Sequence, residues 1–361
     1  MKHWTPLSLL LIALTMGVWS NADANSLLLA DRPGDVYLFT PDNTTTLSLI
    51  ARAKDFPIAR YGVAEGKDSI YNLTYEPFRR KLYAAGGIGT LYVLDASSPV
   101  HGFQKVDNIE PPVNHYFLYF DREARRVITE SAEFETDKRG DPVLKRLYFV
   151  YLDNDGTWRT WDEKKPFNCV RHQGRLDYYP GGNAEPKGKD LLPKHPGLAA
   201  EVDRFDESAP WSLIGRSENL TLYGLVSVKS KDGRYPNLAY LIEDRHLHSS
   251  RVVSTQGPGG GALVYKDFCV VYEAVKRENS PEWGPNGDWY LYYSGAKEVF
   301  KTRLEKAFDL KTADEDKGLL YFTANQVLYE VPVSIDGWGK PKKLAKLPIE
   351  PDWVFVVPER P

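Results

Sequence analysis

The sequence predicts an all-β chain folded as a β-propeller, and three observations point there. Composition favours short strands and tight turns: the 361 residues include 28 Gly, 25 Pro and 22 Tyr, against only 2 Met. A strand–turn–strand theme recurs along the chain at a spacing of about 40–50 residues, a blade-sized period. Strand-like segments without local partners stand near both termini. Leu27–Leu29, Asp35–Thr40 and Thr46–Ile50 lie at one end, and Trp353–Val357 lies at the other.

The units follow in order. Tyr71–Tyr75 runs through the turn 76–80 into Lys81–Ala85, and Gly86-Gly87-Ile88-Gly89 then opens Thr90–Asp95. Tyr116–Phe120 and Arg126–Glu130 lead to Leu147–Leu152 and the turn Asp153-Asn154-Asp155-Gly156. Leu220–Val228 and Leu238–Glu243 flank Lys231-Asp232-Gly233. Ala262–Tyr265, Val270–Val275 and Trp289–Tyr293 make a further unit, and Leu319–Thr323 with Val327–Val333 another. Asp-Gly and Asn-x-Gly turns suit hairpins because Gly and Asn tolerate the positive φ that tight turns require. Starts near 71, 115, 220 and 262 are spaced by 44, 105 and 42 residues, so a degenerate copy is expected between 163 and 215.

Seven blades of about 48 residues are therefore expected, with six or eight as alternatives. The N- and C-terminal strands should share one blade and close the ring, which leaves no long unpaired edge. Two stacked β-sandwiches are the competing architecture. The one helical candidate is Lys297–Phe308. Residues 162–215 read as an irregular insertion rich in Pro, Gly and charge, and loops of that length are uncommon unless functional.

Residues 1–24 read as a secretory signal. Lys2 and His3 precede an apolar stretch from Leu7 to Val18, and Ala22-Asp23-Ala24 supplies a cleavage site after Ala24. The stretch is shorter than the ~20 residues a bilayer span needs. An exported, periplasmic domain of residues 25–361 is expected, without membrane insertion and without a lipid anchor. In such an oxidising compartment Cys169 and Cys269 are candidates for a disulfide, with two buried thiols as the alternative. Three N-x-[ST] sequons begin at Asn43, Asn72 and Asn219 and are read as chance.

Several chemistries find no support in the sequence. A net charge of -3 and a pI near 6.2 argue against nucleic acid as a partner. The glycine run at 86–89 precedes a strand rather than a helix N-terminus, so it is a turn and not a phosphate loop. Asp153 would open a calcium loop only with Glu twelve positions on, where Lys164 stands. His246-Leu247-His248 would place two imidazoles on one side of an extended strand, short of a zinc set by at least one ligand. Neither G-x-S-x-G nor H-E-x-x-H occurs.

Two candidate sites remain. Polar residues at strand starts, namely Asn72, Asn114, Asn219 and Asp352, would converge on a central channel and could hold calcium, as in propeller hydrolases of the lactonase type. Aromatic and acidic loops suit a protein partner better. Residues 201–211 carry Glu201, Asp203, Phe205, Asp206, Glu207 and Trp211, and residues 281–289 carry Trp283 and Trp289. Trp buries much area while offering a polar handle, and acidic neighbours speed encounter with a basic surface.

With no catalytic constellation in the sequence, a binding protein without cofactor, and a monomer, is expected. In export signal, absence of a lipid-anchoring Cys and general architecture, the chain resembles bacterial periplasmic immunity proteins against type VI secretion toxins, including phospholipase effectors. That resemblance implies that it caps a toxin's active site, with Glu201–Glu207 as a possible phosphate mimic. The alternatives are a calcium-dependent hydrolase and an envelope assembly scaffold.

Overall fold

Strands apolar on both faces dictate sheets stacked face to face, because alternate side chains of a strand point to opposite sides. The computed structural model describes residues 25–41, 46–52, 70–86, 90–98, 102–106, 114–121, 125–160, 167–170, 176–179, 186–201, 207–208, 211–225, 239–255, 261–273, 275–276, 283–284, 287–304 and 309–358. Among them lie six principal antiparallel sheets, and the architecture is all-β and propeller-like.

The first sheet holds Ser26–Ala30, Val36–Thr40 and Thr46–Ala51, with Trp353–Val357 on its edge. The second holds Ile70–Glu76, Lys81–Gly86, Leu91–Asp95 and Gln104–Lys105. The third is built on the long strands Asn114–Asp121, Arg126–Thr136 and Pro142–Leu152, followed by Trp158–Thr160. The fourth holds Trp211–Arg216, Leu220–Leu225, Ala239–Asp244 and Ser249–Ser254. The fifth holds Ala262–Val264, Phe268–Tyr272, Asp288–Tyr293 and Phe300–Arg303. The sixth holds Asp309–Asp314, Leu319–Ala324, Val327–Ser334 and Lys342–Lys346.

The strand near the C-terminus pairs with the first described strand, as the lone apolar segments led us to expect. Ser26 faces Val357 and Ala30 faces Trp353 in an antiparallel ladder. Within Ser26–Ala30 the two faces divide cleanly. Leu28 and Ala30 pack toward the second sheet, with Leu73, Leu82 and Leu94. Leu27 and Leu29 pack toward the sixth, with Tyr321 and Leu328.

The same division runs through the molecule. The second and third sheets share Tyr83, Leu91, Leu118 and Val127. The fourth and fifth share Leu222, Ile242, Val264 and Cys269. The fifth and sixth share Phe268, Trp289, Leu320 and Phe322. Only the seam between third and fourth sheets lacks a common core among the described residues. There the third sheet carries its own small cluster of Tyr119, Ile128 and Phe149. The facing side of the fourth is covered by two single-turn helices, α1 (Gly188–Leu191) and α2 (Leu198–Glu201).

This seam corrects the expectation of a degenerate seventh copy. The hairpin Phe167–Val170 with Leu176–Tyr179 joins the third sheet through Val170 opposite Phe120. No separate four-stranded sheet forms between 163 and 215 among the described residues. The helix expected at Lys297–Phe308 is also corrected. Phe300–Arg303 is an edge strand pairing with Asp288–Leu291, because its alternating Phe300 and Thr302 suit a strand that covers the fifth sheet. Asp153–Gly156 forms the expected hairpin turn, with Gly156 at φ 84. At Gly318 (φ 60) a side chain would meet the Val333 carbonyl at 2.5 Å, so the turn before Leu319–Ala324 requires glycine.

Polar residues near strand ends tie several sheets to their neighbours. The Arg79 guanidinium of the second sheet donates to the Asn154 carbonyl of the third at 3.0 Å. The Asn219 amide donates to Asp267 Oδ1 at 2.7 Å, joining fourth to fifth. Glu315 accepts the Lys266 N–H at 3.1 Å, joining fifth to sixth, and Asp314 accepts the Asn25 amide at 2.6 Å, joining sixth to first. Asp244 is the most heavily used. It accepts the Gly295 N–H at 2.7 Å, the Tyr292 hydroxyl at 2.8 Å, the Leu247 N–H at 3.0 Å and the Ser294 hydroxyl at 3.3 Å. Burial alone would push its carboxyl up, but the Gly295 and Leu247 N–H groups and the Tyr292 hydroxyl outweigh burial. They hold it below its ordinary 3.8.

Cys269 is a free, buried thiol, which corrects the expected Cys169–Cys269 bridge. It sits in the shared core of the fourth and fifth sheets, whereas Cys169 lies on the hairpin added to the third. Burial pushes the Cys269 thiol up to about 12, so it is an inert core residue.

Two measurements check these assignments. Thiol titration of the denatured chain without reductant should count both cysteines, and a count of zero would reinstate the bridge. Asp244→Asn should cost about 2–3 kcal/mol at neutral pH, read as a lower urea midpoint. Because the folded carboxyl lies below its unfolded value, its contribution is complete above pH 3.8 and is lost as pH falls through the folded value. The gap between wild type and variant should therefore narrow in acid.

Candidate functional site

The segment that replaces ordinary sheet packing at the seam is the candidate site. Leu191 of α1 and Leu198 of α2 bury against Trp211, Ala239 and Leu241 of the fourth sheet. Backbone bonds pin the segment further: the Lys189 N–H donates to the Glu207 carbonyl at 2.8 Å, and the Trp211 N–H donates to the Pro186 carbonyl at 2.8 Å. At the N-terminus of α1 the Lys187 N–H donates to Asp190 Oδ2 at 3.0 Å. Between the helices, His195 Nε2 lies 2.9 Å from Glu243 Oε1 on the fourth sheet. The strap is thus fixed by an apolar pair, two backbone bonds and a His–Glu contact.

The sequence-predicted partner residues divide sharply. Glu201 ends α2 and Glu207 is exposed in the turn beyond it. Asp203, Phe205 and Asp206 lie outside the described residues. Trp211 and Trp289 are corrected from surface anchors to core. Trp211 is 0% exposed beneath the strap, and Trp289 is 1% exposed. Trp289 stacks on Tyr272 at 4.7 Å and meets Phe322 edge-on at 5.2 Å. The physical reason is the strand pattern, since each indole occupies an inward position of a sheet covered on that face. Trp283 lies on the short strand Trp283–Gly284, which pairs with Val275–Lys276.

The candidate calcium residues are placed as follows. Asn72 is on the second sheet, its Oδ1 buried without a hydrogen bond, and Asn114 begins a strand of the third. Asn219 spends its amide on Asp267, and Asp352 receives the Arg32 N–H at 2.9 Å and pairs with its guanidinium at 3.1 Å. Among the described residues no three His, Cys, Asp or Glu side chains are grouped to hold a metal. The extended strand expected at His246–His248 is instead a turn, with His248 at φ 49, so the two imidazoles do not follow strand alternation.

Sequence reasoning missed the His195–Glu243 contact, which spans 48 positions and carries no local signal. It also missed the acidic tethers. Their signal was present as a repeated Asp or Glu at the end of a strand, at Asp244, Asp267 and Asp314.

Burial makes a direct distinction possible at Trp211. Trp211→Ala should cost about 3–5 kcal/mol through the cavity it leaves. A surface anchor would instead melt like wild type, so a thermal melt of the isolated variant decides between the two.

No protein-family model matches the chain, and no curated protein matches it. Among solved structures it is similar to the WD40 repeats of RRP9, at 12% identity over 79% of this chain and 82% of that one, with a TM-score of 0.40. It is similar to a chain of the mitotic checkpoint complex at 11% identity, covering 84% of each, with a TM-score of 0.41. It is also similar to a Bacteroides fragilis protein provisionally named a 6-phosphogluconolactonase, at 9% identity over 94% of this chain and 99% of that one, with a TM-score of 0.41. Likeness at this level carries no argument about function.

Proposed function

We propose that the chain is an exported, periplasmic protein-binding protein, and that its partner docks on the strap over the fourth sheet. In this reading the six sheets surround an axis, the strand Trp353–Val357 closes the ring, and the segment around α1 and α2 fills the seam. The observation that carries the docking reading is the strap itself. Leu191, Leu198 and Trp211 anchor it from beneath, while Glu201 at the end of α2 and the exposed Glu207 flank the acidic sequence 202–206. A strap anchored in this way loses little entropy on binding, and the negative charge of this stretch of sequence favours a basic partner.

The finer reading is a toxin inhibitor. Asp203, Asp206 and Glu207 would enter a basic, phosphate-binding active site and block it, as expected of an immunity protein facing a phospholipase effector. What supports this is the composition of the loop and the expected export signal.

The test is complex formation between the mature chain and the product of the neighbouring gene. A stable complex is expected on size exclusion. Asp203→Lys, Asp206→Lys and Glu207→Lys together should weaken it at least tenfold, and wild-type association should slow as salt rises. Unchanged affinity in the triple variant would sink the acidic-loop reading, and absence of any complex would sink the inhibitor reading.

A further inference from the structure

A second feature of the same region has a different chemistry. Between the loop 194–198, which joins α1 to α2, and the turn 245–248 of the fourth sheet lies a cleft of about 460 Å³. That volume lies within the range of small-molecule sites. Leu198 and Val252 give it an apolar wall, and Lys194, Arg245 and His248 stand around it.

The cleft's charges are unequally committed. Two carboxylates, Glu243 and Asp244, also line it. Glu243 is engaged by His195 at 2.9 Å. Asp244 is saturated by four donors, three of them on residues 292–295 of the fifth sheet. Among the described residues the Arg245 guanidinium donates only to neutral acceptors, the Thr221 hydroxyl at 3.1 Å and the Glu218 carbonyl at 3.5 Å. Lys194 and His248 are exposed, and their side chains make no hydrogen bond or ion pair among the described residues. The donors left over are therefore cationic or neutral N–H and O–H groups, including the hydroxyl of Ser250, which also lines the cleft.

His248 adds an independent observation. Its φ of 49 lies in the left-handed region, which His tolerates better than most residues. That turn conformation sets the imidazole in the cleft lining without a hydrogen-bond partner among the described residues.

We propose that this cleft binds the oxyanion head of a small organic ligand, a phosphomonoester or a carboxylate. Lys194 and Arg245 supply the charge, His248 and the Ser250 hydroxyl supply directional donors, and Leu198 and Val252 face the ligand's carbon skeleton. The inference goes beyond the docking reading and does not depend on it.

Calorimetric titration of the mature chain with glycerol 3-phosphate, with succinate and with glycerol tests it. Saturable binding of at least one anion is expected, and none of glycerol. Preference for glycerol 3-phosphate assigns the head as phosphate, and preference for succinate assigns it as carboxylate. Lys194→Ala should weaken binding about tenfold, the loss of one charge-assisted contact. His248→Gly should weaken it several-fold while melting no earlier than wild type, since glycine suits the backbone there. No saturable binding of either anion, or binding unchanged in both variants, overturns the proposal. Because the acidic triple-lysine variant leaves the cleft intact, failure here and failure of the docking reading are separable.

Discussion

Everything in the fold depends on the ladder between Ser26–Ala30 and Trp353–Val357. It joins strands more than 300 positions apart, and the cost of that separation can be bounded. Loop closure grows only logarithmically, so pairing at this distance costs roughly 2 kcal/mol more than closing a unit of about 40 residues. Against that stand Leu27, Leu28, Leu29 and Val354, all essentially inaccessible to solvent. Each contributes about 1.5–3 kcal/mol on burial, so the ladder wins clearly. Without it the first sheet would lose its edge strand, and Leu27 and Leu29 would lose Val354 from the core shared with the sixth sheet.

The polar tethers play a complementary part. Apolar faces stack sheets but say little about how far each slides over the next. A bond such as Asn219 to Asp267, or the four donors on Asp244, fixes that offset because hydrogen bonds are directional. Buried carboxylates are tolerable in these places because donors surround them. This explains why acidic residues recur at strand ends in a chain whose surface has no need of more negative charge.

Much of this was legible in the sequence. Strand positions, the hairpin turn at Asp153–Gly156 and the partnership of the terminal strands all follow from period-two patterning and turn chemistry, which act locally. The Trp residues were misread for a physical reason. An indole next to Pro and acidic residues looks like a loop anchor, yet Trp211 opens a strand and Trp289 sits inside one. Position on a strand face, not neighbouring composition, decides burial. The helix expected at Lys297–Phe308 failed similarly, because tertiary cover over the fifth sheet overrides the weak preference of a charged, apolar-spaced segment. Contacts such as His195 to Glu243 were beyond reach, since nothing in either residue's neighbourhood encodes its partner 48 positions away.

The seam between third and fourth sheets shows why function concentrates where a repeating architecture is interrupted. Elsewhere each sheet face is consumed by its neighbour, and the residues on it are fixed by packing. At the seam two faces are released, and the third sheet needs only a small cluster to finish its side. The fourth is finished by a strap whose buried requirement is met by Leu191 and Leu198. Leu192 packs beside them, and the His195–Glu243 contact adds a polar attachment. The strap's described positions also include the exposed Lys194 and Glu207, which meet solvent instead of a neighbouring sheet.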